Sequence, residues 1–370
     1  MSELFERRFG RRADVHAWAP GRINIIGEHT DYNGGFVLPM ALPLETHVYL
    51  ARRPDSDVRT CSAEIAGGSI DTYTLGAERR GRGWLDYVQG VTAILGAGGA
   101  RLSGVDLCLT STVPVGKGLS SSAALQVGLV RALRIAFELR LDDVEVALTA
   151  HRAETEFVGA PVGIMDQMAC SLGGQRDALF LNAGTAEFEH VPLPPSAGIG
   201  VVDSAIAHEH ASGEYRVRHS ECEAAAEALG VRELSALSVR DLPRIAALPA
   251  PLDRRARHVV TENARVQQAV DALRACDLER AGQLLNESHA SMRDDFDITV
   301  PDIDCLVDIA QAQESVYGAR MTGGGFGGAV VVLGRPETIA AATNEIASTY
   351  RSRTHRAGRA LVSIAPWHIS

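Results

Sequence analysis

The stretch that most constrains this chain runs from 114 to 126 and reads P-V-G-K-G-L-S-S-S-A-A-L-Q. Gly116 and Gly118 let the backbone turn tightly, Leu119 follows, and three serines come next at 120, 121 and 122. From Ala123 to Phe137 the sequence is almost wholly apolar, with Arg131 and Arg134 interrupting it. A Gly/Ser turn opening a helix leaves first-turn N–H groups without partners and puts the positive dipole end there. Such a mouth binds phosphate, and serine hydroxyls at it can ligate a Mg²⁺ carried by a nucleotide. A serine-capped helix entering the core accounts for the same residues. Lys117 precedes the second glycine and no G-x-x-x-x-G-K-[ST] occurs, so this is not a Walker A loop.

With 370 residues the chain can build two lobes, or one large domain with a substantial core. Its net charge of −10 argues against a nucleic-acid surface but not against a small anionic substrate held by local arginines. Lys117 is the only lysine among 36 basic residues, which looks like codon bias. Its place in the loop allows either a phosphate contact or a solvated side chain. The cysteines at 61, 108, 170, 222, 276 and 305 are scattered with no C-x-x-C, which suggests neither a zinc site nor a disulfide framework. Reduced thiols in the cytoplasm are the simplest account. The first twelve residues are highly charged and lack an apolar core, so no signal peptide is expected. No apolar run approaches the roughly 18 residues that a bilayer span requires, so no membrane partner is expected either.

Taken in order, 15–19 reads as a strand, and 22–38 (R-I-N-I-I-G-E-H-T-D-Y-N-G-G-F-V-L) as strand, loop and strand. Arg22, Glu28, His29 and Asp31 crowd into this loop among glycine and apolar neighbours. That is costly unless they pair with one another or with a polar ligand, and a sugar suits them. Strands are expected at 42–52 and 105–112, and a helix at 84–95. A further helix over 144–157 is capped by Asp142-Asp143. At 100° per residue Glu154 falls on its apolar stripe and Glu156 points the opposite way. A buried Arg or a Mg²⁺ would each satisfy Glu154. Asp166 stands alone among small and apolar residues just after Gly163, as a base or as a helix cap. A Pro-rich break at 191–197 marks the expected boundary between a first lobe, 1–190, and a second, 191–370. Beyond it come a strand at 199–202, a helix over 213–229 carrying Tyr215, mostly helix to 292, and another over 302–312. Five glycines between 323 and 328 then open into a buried strand, as a loop beside a ligand would. A last helix is expected from 336 and a closing strand at 360–364.

The stretches G-R-I-N-I-I-G-E-H-T-D-Y-N-G-G, P-V-G-K-G-L-S-S-S-A-A and G-A-R-M-T-G-G-G-F-G-G resemble the three motifs of the GHMP small-molecule kinases. The first of them looks like the signature of the branch that phosphorylates galactose at its anomeric hydroxyl. The resemblance extends through G-W-L-D-Y-V-Q-G-V, G-I-M-D-Q-M, E-Y-R-V-R-H-S-E-C and D-I-T-V-P-D-I-D, and so spans essentially the whole chain. It implies a two-lobed α+β GHMP kinase fold with the active site in the inter-lobe cleft, using ATP and Mg²⁺. Carried over by position, Arg22 and Asp166 match the catalytic pair, and Ser122 with Glu154 the Mg²⁺ ligands. Glu28, His29, Asp31, Gly163, Asp166 and Tyr215 match the sugar contacts. Gly116, Lys117, Gly118, Leu119, Ser120, Ser121, Ser122 and Ala123 would hold the ATP phosphates, with Gly323, Gly324 and Gly325 closing from the other side and Trp84 near the adenine. The partners implied are a sugar and ATP, with no nucleic acid and no membrane, and a monomer or homodimer in the cytoplasm. Arg216 stands where the family commonly has Asn, and 204–208 (S-A-I-A-H) replaces the usual S-N-V-K-H. These departures leave a uronic acid, an amino sugar or arabinose open as the acceptor.

Overall fold

The computed structural model describes residues 2–65, 68–206 and 211–365. Ala207 and His208, part of one departure noted above, lie outside the described residues. The elements in order begin with α1 (Ser2–Phe9), β1 (Val15–Asn24), β2 (Phe36–Val37), β3 (Pro39–Arg52), β4 (Asp57–Ser62) and β5 (Asp71–Thr74). Next come α2 (Leu85–Ala97), β6 (Val105–Ser111), α3 (Ser121–Ala136), α4 (Asp143–Arg152), α5 (Met165–Leu172), β7 (Asp177–Asn182), β8 (Phe188–Pro192) and β9 (Gly198–Asp203). The chain finishes with α6 (Ala211–Leu229), α7 (Leu242–Ile245), α8 (Leu252–Arg274), α9 (Leu278–Asp294), α10 (Pro301–Gln311), β10 (Val316–Thr322), β11 (Ala329–Gly334), α11 (Ile339–Thr354) and β12 (Arg359–Ile364). Among the described residues no helix is long and apolar enough to cross a membrane.

The chain divides into two compact units. One comprises Met1–Arg22, Leu42–Val115 and Ser120–Leu172; the other comprises Ile23–Ala41, Gly116–Leu119 and Gly173–Ser370. In the first, a mixed sheet runs in the order β1-β3-β6-β4-β5, with β4 parallel to β6 and the β3–β6 and β4–β5 pairs antiparallel. Val48 and Leu50 of β3 point into the core, while His47 and Tyr49 face out, the period-two pattern of a half-buried strand. Helix α1, absent from the sequence reading, covers part of the outer face by packing Phe5 on Cys61 and Cys108. Helix α4 opens on a capping box, in which Asp142 Oδ1 accepts the Glu145 N–H and Glu145 Oε2 accepts the Asp142 N–H, each at 2.8 Å. The expected single helix over 144–157 is interrupted. After Arg152 the chain forms a π-helical turn, Ala153–Val158, which Gly159 ends in the left-handed region. Such turns recur at functional sites.

The second unit is built on an antiparallel sheet ordered β10-β11-β9-β12, with a smaller sheet β2-β7-β8 beside it in sequence order. Strand β9 is buried along its whole length, as its unbroken G-I-G-V-V run requires. Helices α10 and α11 lay Leu306, Val307, Ile346 and Tyr350 on Ala319, Val330 and Val332. A second cluster gathers α6, α8 and α9 around Met292 and Phe296 and reaches Met321. Helix α9 crosses β10 backbone to backbone. A Cβ on Gly282 would lie 2.1 Å from the Tyr317 carbonyl oxygen, and one on Gly318 would lie 2.1 Å from the Gly282 carbonyl oxygen. Only glycine allows that approach, so Gly282→Ala should destabilise by about 3 kcal/mol or more. Gly213 lies in α6 with nothing near its missing Cβ, and Gly213→Ala should stabilise by about 0.5–1 kcal/mol. Denaturant titration of the two variants beside the parent checks both signs.

Candidate active site

In the first unit the buried end of β1 brings Arg22 to the first turn of α5. Arg22 Nε and Nη2 both donate to Asp166 Oδ1, at 2.8 and 2.5 Å. The Ser120 hydroxyl donates to Asp166 Oδ2 at 2.6 Å. Ser120 occupies the N-cap position of α3 in the left-handed region, with φ 59°, yet its side chain makes no capping bond. The reading of these serines as plain helix caps therefore fails at Ser120, whose hydroxyl is turned onto Asp166. Asp166 lies inside the first turn of α5, where the helix dipole favours a carboxylate, three residues after Gly163.

Two residues on, in the first turn of α3, Ser122 meets the π-helical turn. Glu154 is 5% exposed, as its place on the apolar stripe demanded, and Glu156 lies on the surface, bonded to Arg152. The partners of Glu154 are neutral. Gln167 Nε2 donates to its Oε2 at 2.7 Å, and the Ser122 side chain bonds it as well. Burial, reinforced by the nearby Asp166 charge, pushes its carboxyl up to about 7; the Ser122 and Gln167 bonds and the more distant Arg22 pull the other way. Trp84 is half-buried immediately before α2, and Leu119 and Ala123 are buried while Ser121 is partly exposed.

In the second unit Gly27 (φ 103°), His29 (φ 62°) and the 3₁₀ turn Asp31–Asn33 fold the polar cluster into a tight loop. Glu28 is 1% exposed. Its Oε1 accepts the Gly323 N–H at 2.7 Å and faces Arg320 Nη1 at 3.5 Å, and its Oε2 accepts from the Asn24 amide. Burial and the neighbouring His258 push the His29 imidazole down to about 3, so it is neutral at physiological pH. His29 Nδ1 lies 2.9 Å from the Tyr32 hydroxyl, and its ring packs against Tyr215 at 5.1 Å. Tyr215 also borders Gly324, whose missing Cβ would lie 3.5 Å from the tyrosine ring. Asp31 is partly buried at the head of the 3₁₀ turn, and Arg216 is exposed on α6.

Loop 116–119 rests on the third motif within the same unit. A Cβ on Gly118 would stand 3.2 Å from the Thr322 carbonyl oxygen, and one on Gly323 would stand 3.1 Å from Gly118 Cα. Gly116 is open, with φ 71°. Lys117 is not a solvated loop lysine, because its Nζ pairs at 3.1 Å with Oδ1 of the buried Asp203 at the end of β9. Asp203 was missed in the sequence, although an acid closing a wholly buried strand was a signal. So were Asn24, Gln167, Arg320 and Thr322, which lie inside the quoted motifs. The Thr322 hydroxyl accepts the Asn24 N–H at 3.1 Å and donates to the Asn24 carbonyl at 3.0 Å.

Three family models match. The galactokinase galactose-binding signature covers residues 3–52, the GHMP kinases N terminal domain 86–174, and the GHMP kinases C terminal domain 269–352. The fold and the arrangement of motifs are those of a GHMP kinase. A galactokinase from Roseiflexus sp. (strain RS-1) is 42% identical over 96% of this chain and 92% of its own. Another, from Mannheimia succiniciproducens, is 40% identical over 95% of this chain and 93% of its own. The crystal structure of Lactococcus lactis galactokinase complexed with galactose superposes with a TM-score of 0.93 at 30% identity, covering 99% of this chain and 97% of that one. The chain belongs to the galactokinase family.

The donor set around Glu154 fits a nucleotide-borne divalent cation. A buried carboxylate held only by neutral groups beside a second carboxylate lacks compensating positive charge, which a cation would supply. Among the described residues no three His, Cys, Asp or Glu side chains converge on a metal position, so such an ion would draw most of its oxygens from phosphate and water. The pH dependence of the metal-free protein tests this environment. The folded-state value, about 7, lies above the unfolded reference of 4.5, so the folded state binds the proton more tightly. The contribution of Glu154 to stability is therefore present below about pH 4.5 and is lost as pH rises through about 7. In Glu154→Gln this loss is absent, so its stability advantage should grow by about 2–3 kcal/mol between pH 5 and pH 8, at up to about 1.4 kcal/mol per unit. Denaturation of both proteins at the two pH values, with chelator present, measures it. A variant less stable than the parent at pH 8 would mean that a cationic side chain holds Glu154.

Proposed function

We propose that this chain transfers the γ-phosphoryl group of ATP to the anomeric hydroxyl of D-galactose, giving galactose 1-phosphate and ADP. The observation that carries the reading is the Arg22–Asp166–Ser120 constellation in a chain whose residues 3–52 match the galactose-binding signature. A sugar hydroxyl is a poor nucleophile. Asp166 accepts its proton as the new O–P bond forms and the bond from the γ-phosphorus to the ADP oxygen breaks. Arg22 orients Asp166 and offers positive charge to the transferring group. In a loose transition state the positioning of the hydroxyl by Asp166 counts for more than proton removal. A Mg²⁺ entering with ATP would be held by Ser122 and Glu154, and would neutralise charge on the β- and γ-phosphates. Residues 116–123 and Gly323–Gly325 hold the phosphates, with Trp84 near the adenine. Glu28, His29, Asp31, Gly163 and Tyr215 contact the sugar. The same reading keeps a division of the chain near residue 190, and has the enzyme working as a cytoplasmic monomer. The free state of all six cysteines suits a reducing compartment.

Asp166→Asn keeps the shape of the side chain and removes the base. Its kcat should fall by about 10²-fold or more while galactose binding persists, since the amide still bonds a hydroxyl. ADP release and calorimetric titration with galactose separate the two effects, and near-normal turnover would sink the role given to Asp166.

Galactose and glucose differ in the orientation of one hydroxyl, so discrimination needs polar groups that the wrong epimer leaves unpaired. Asp31→Ala should therefore erode the preference for galactose over glucose by about tenfold or more, and Arg216→Ala should leave it nearly unchanged. Better turnover of galacturonate than of galactose by the parent, reversed in Arg216→Asn, would replace galactose as the acceptor.

A further inference from the structure

Helix α8 carries three polar side chains that belong to none of the motifs above. His258, Glu262 and Asn263 are buried, and each reaches the main chain of the loop bearing Glu28, His29 and Asp31. His258 Nε2 donates to the Glu28 carbonyl at 3.1 Å. A carbonyl only accepts, so Nε2 carries the ring proton, leaving Nδ1 to face the Ser291 hydroxyl at 2.9 Å. Burial pushes this imidazole down to about 4, so the ring is neutral and keeps that tautomer. Glu262 Oε1 accepts the Gly27 N–H at 3.0 Å and the Ser288 hydroxyl at 2.6 Å, while Oε2 takes Arg265 Nε at 2.7 Å. Asn263 Oδ1 accepts the Phe36 N–H at 2.9 Å.

These bonds bracket the part of the loop that needs holding. Gly27 and His29 both lie at positive φ, and for a histidine that conformation persists only where its surroundings over-determine it. Within the loop, Asn33 Nδ2 donates to the His29 carbonyl at 2.8 Å, and the Thr30 hydroxyl reaches the Gly27 and Phe36 carbonyls at 2.9 and 2.7 Å. The α8 groups fix the two ends of that internal network. All three grip main-chain atoms, so they set the path of the loop without occupying its side chains.

We infer that His258, Glu262 and Asn263 are positioning residues for sugar recognition, holding residues 27–36 in the path that aims Glu28, His29 and Asp31. The inference rests on the reading of that loop as the galactose-binding one. Loosening the loop displaces the sugar contacts, and misplacement of about 1 Å is enough to cost orders of magnitude in rate.

The test compares His258→Leu and Asn263→Ala with the conservative His258→Gln, which keeps a donor for Glu28. Steady-state kinetics on full-length protein give the Michaelis constants for galactose and for ATP, and thermal melting reports folding. His258→Leu and Asn263→Ala should raise KM for galactose by about tenfold or more while KM for ATP moves by less than about twofold. The glutamine variant should stay within about threefold of the parent for both. An unchanged galactose KM in the first pair, an equal rise in both constants, or His258→Gln behaving as His258→Leu would overturn the inference. If His258→Leu does not fold, Asn263→Ala at the other end of the loop decides the matter. A parent protein that turns over ATP with another sugar and not with galactose would end the galactose reading instead, and the inference with it.

Discussion

One buried carboxylate organises the second unit. Taking Glu28 out of water is affordable only if both its oxygens find donors, and the chain supplies the Asn24 amide, the Gly323 N–H and the Arg320 guanidinium. Arg320 is itself fully buried, and the same Nη1 that faces Glu28 also reaches the Asn24 and Ile25 carbonyls. Two motifs almost three hundred residues apart in sequence are therefore fastened by charge, and the Thr322 hydroxyl adds a second seam between them. Removing any one partner would strand a buried polar group, so loop 27–36 and the glycine-rich loop stand or fall as one object. Loop 116–119, seated on Thr322 and Gly323, inherits its position from that pairing.

The first unit holds two carboxylates by opposite means. Asp166 has a cation on one oxygen and a hydroxyl on the other, a charge-assisted arrangement that fixes its direction. Glu154 has an amide and a hydroxyl, with no positive charge of its own to lean on, and burial works against its ionisation. The difference follows from which element supplies each neighbour. A strand end delivers Arg22 to α5, whereas the π-helical turn delivers Glu154 to the neutral faces of α3 and α5.

Much of this was legible in the sequence because glycine spacing and misplaced charges are local signals. The runs at 27–35, 116–118 and 323–328 announced their loops. Glu154 among apolar neighbours announced its burial, and Glu156 two residues on announced its exposure. What stayed hidden depends on distant partners. Lys117 reads as solvated until Asp203 is brought beside it, and Ser120 reads as a cap until Asp166 arrives. Glu262 and Asn263 lie on the apolar stripe of α8 with Val259, Val266 and Val270, and His258 at its edge, but the main-chain groups they satisfy lie more than two hundred residues earlier. Strand β4 escaped notice because Arg59 interrupts its apolar character, and only the buried Asp106 on β6 makes that arginine a sheet residue. The π-helical turn leaves no mark in a pattern read at 100° per residue.

The pairing of Lys117 with Asp203 has a consequence for the chemistry of the molecule as a material. With arginine at every other basic position, the chain offers amine-directed reagents a single side-chain address, and that address is inside the loop beneath the third motif. Acylating it would abolish the ammonium and leave the buried Asp203 carboxylate with the longer contact to Arg359 Nε, at 3.9 Å, as its charged partner. Side-chain coupling to an amine-reactive resin and cleavage after lysine both converge on this one loop. The chain is thereby resistant to indiscriminate lysine chemistry over its surface and singularly exposed to it at one point.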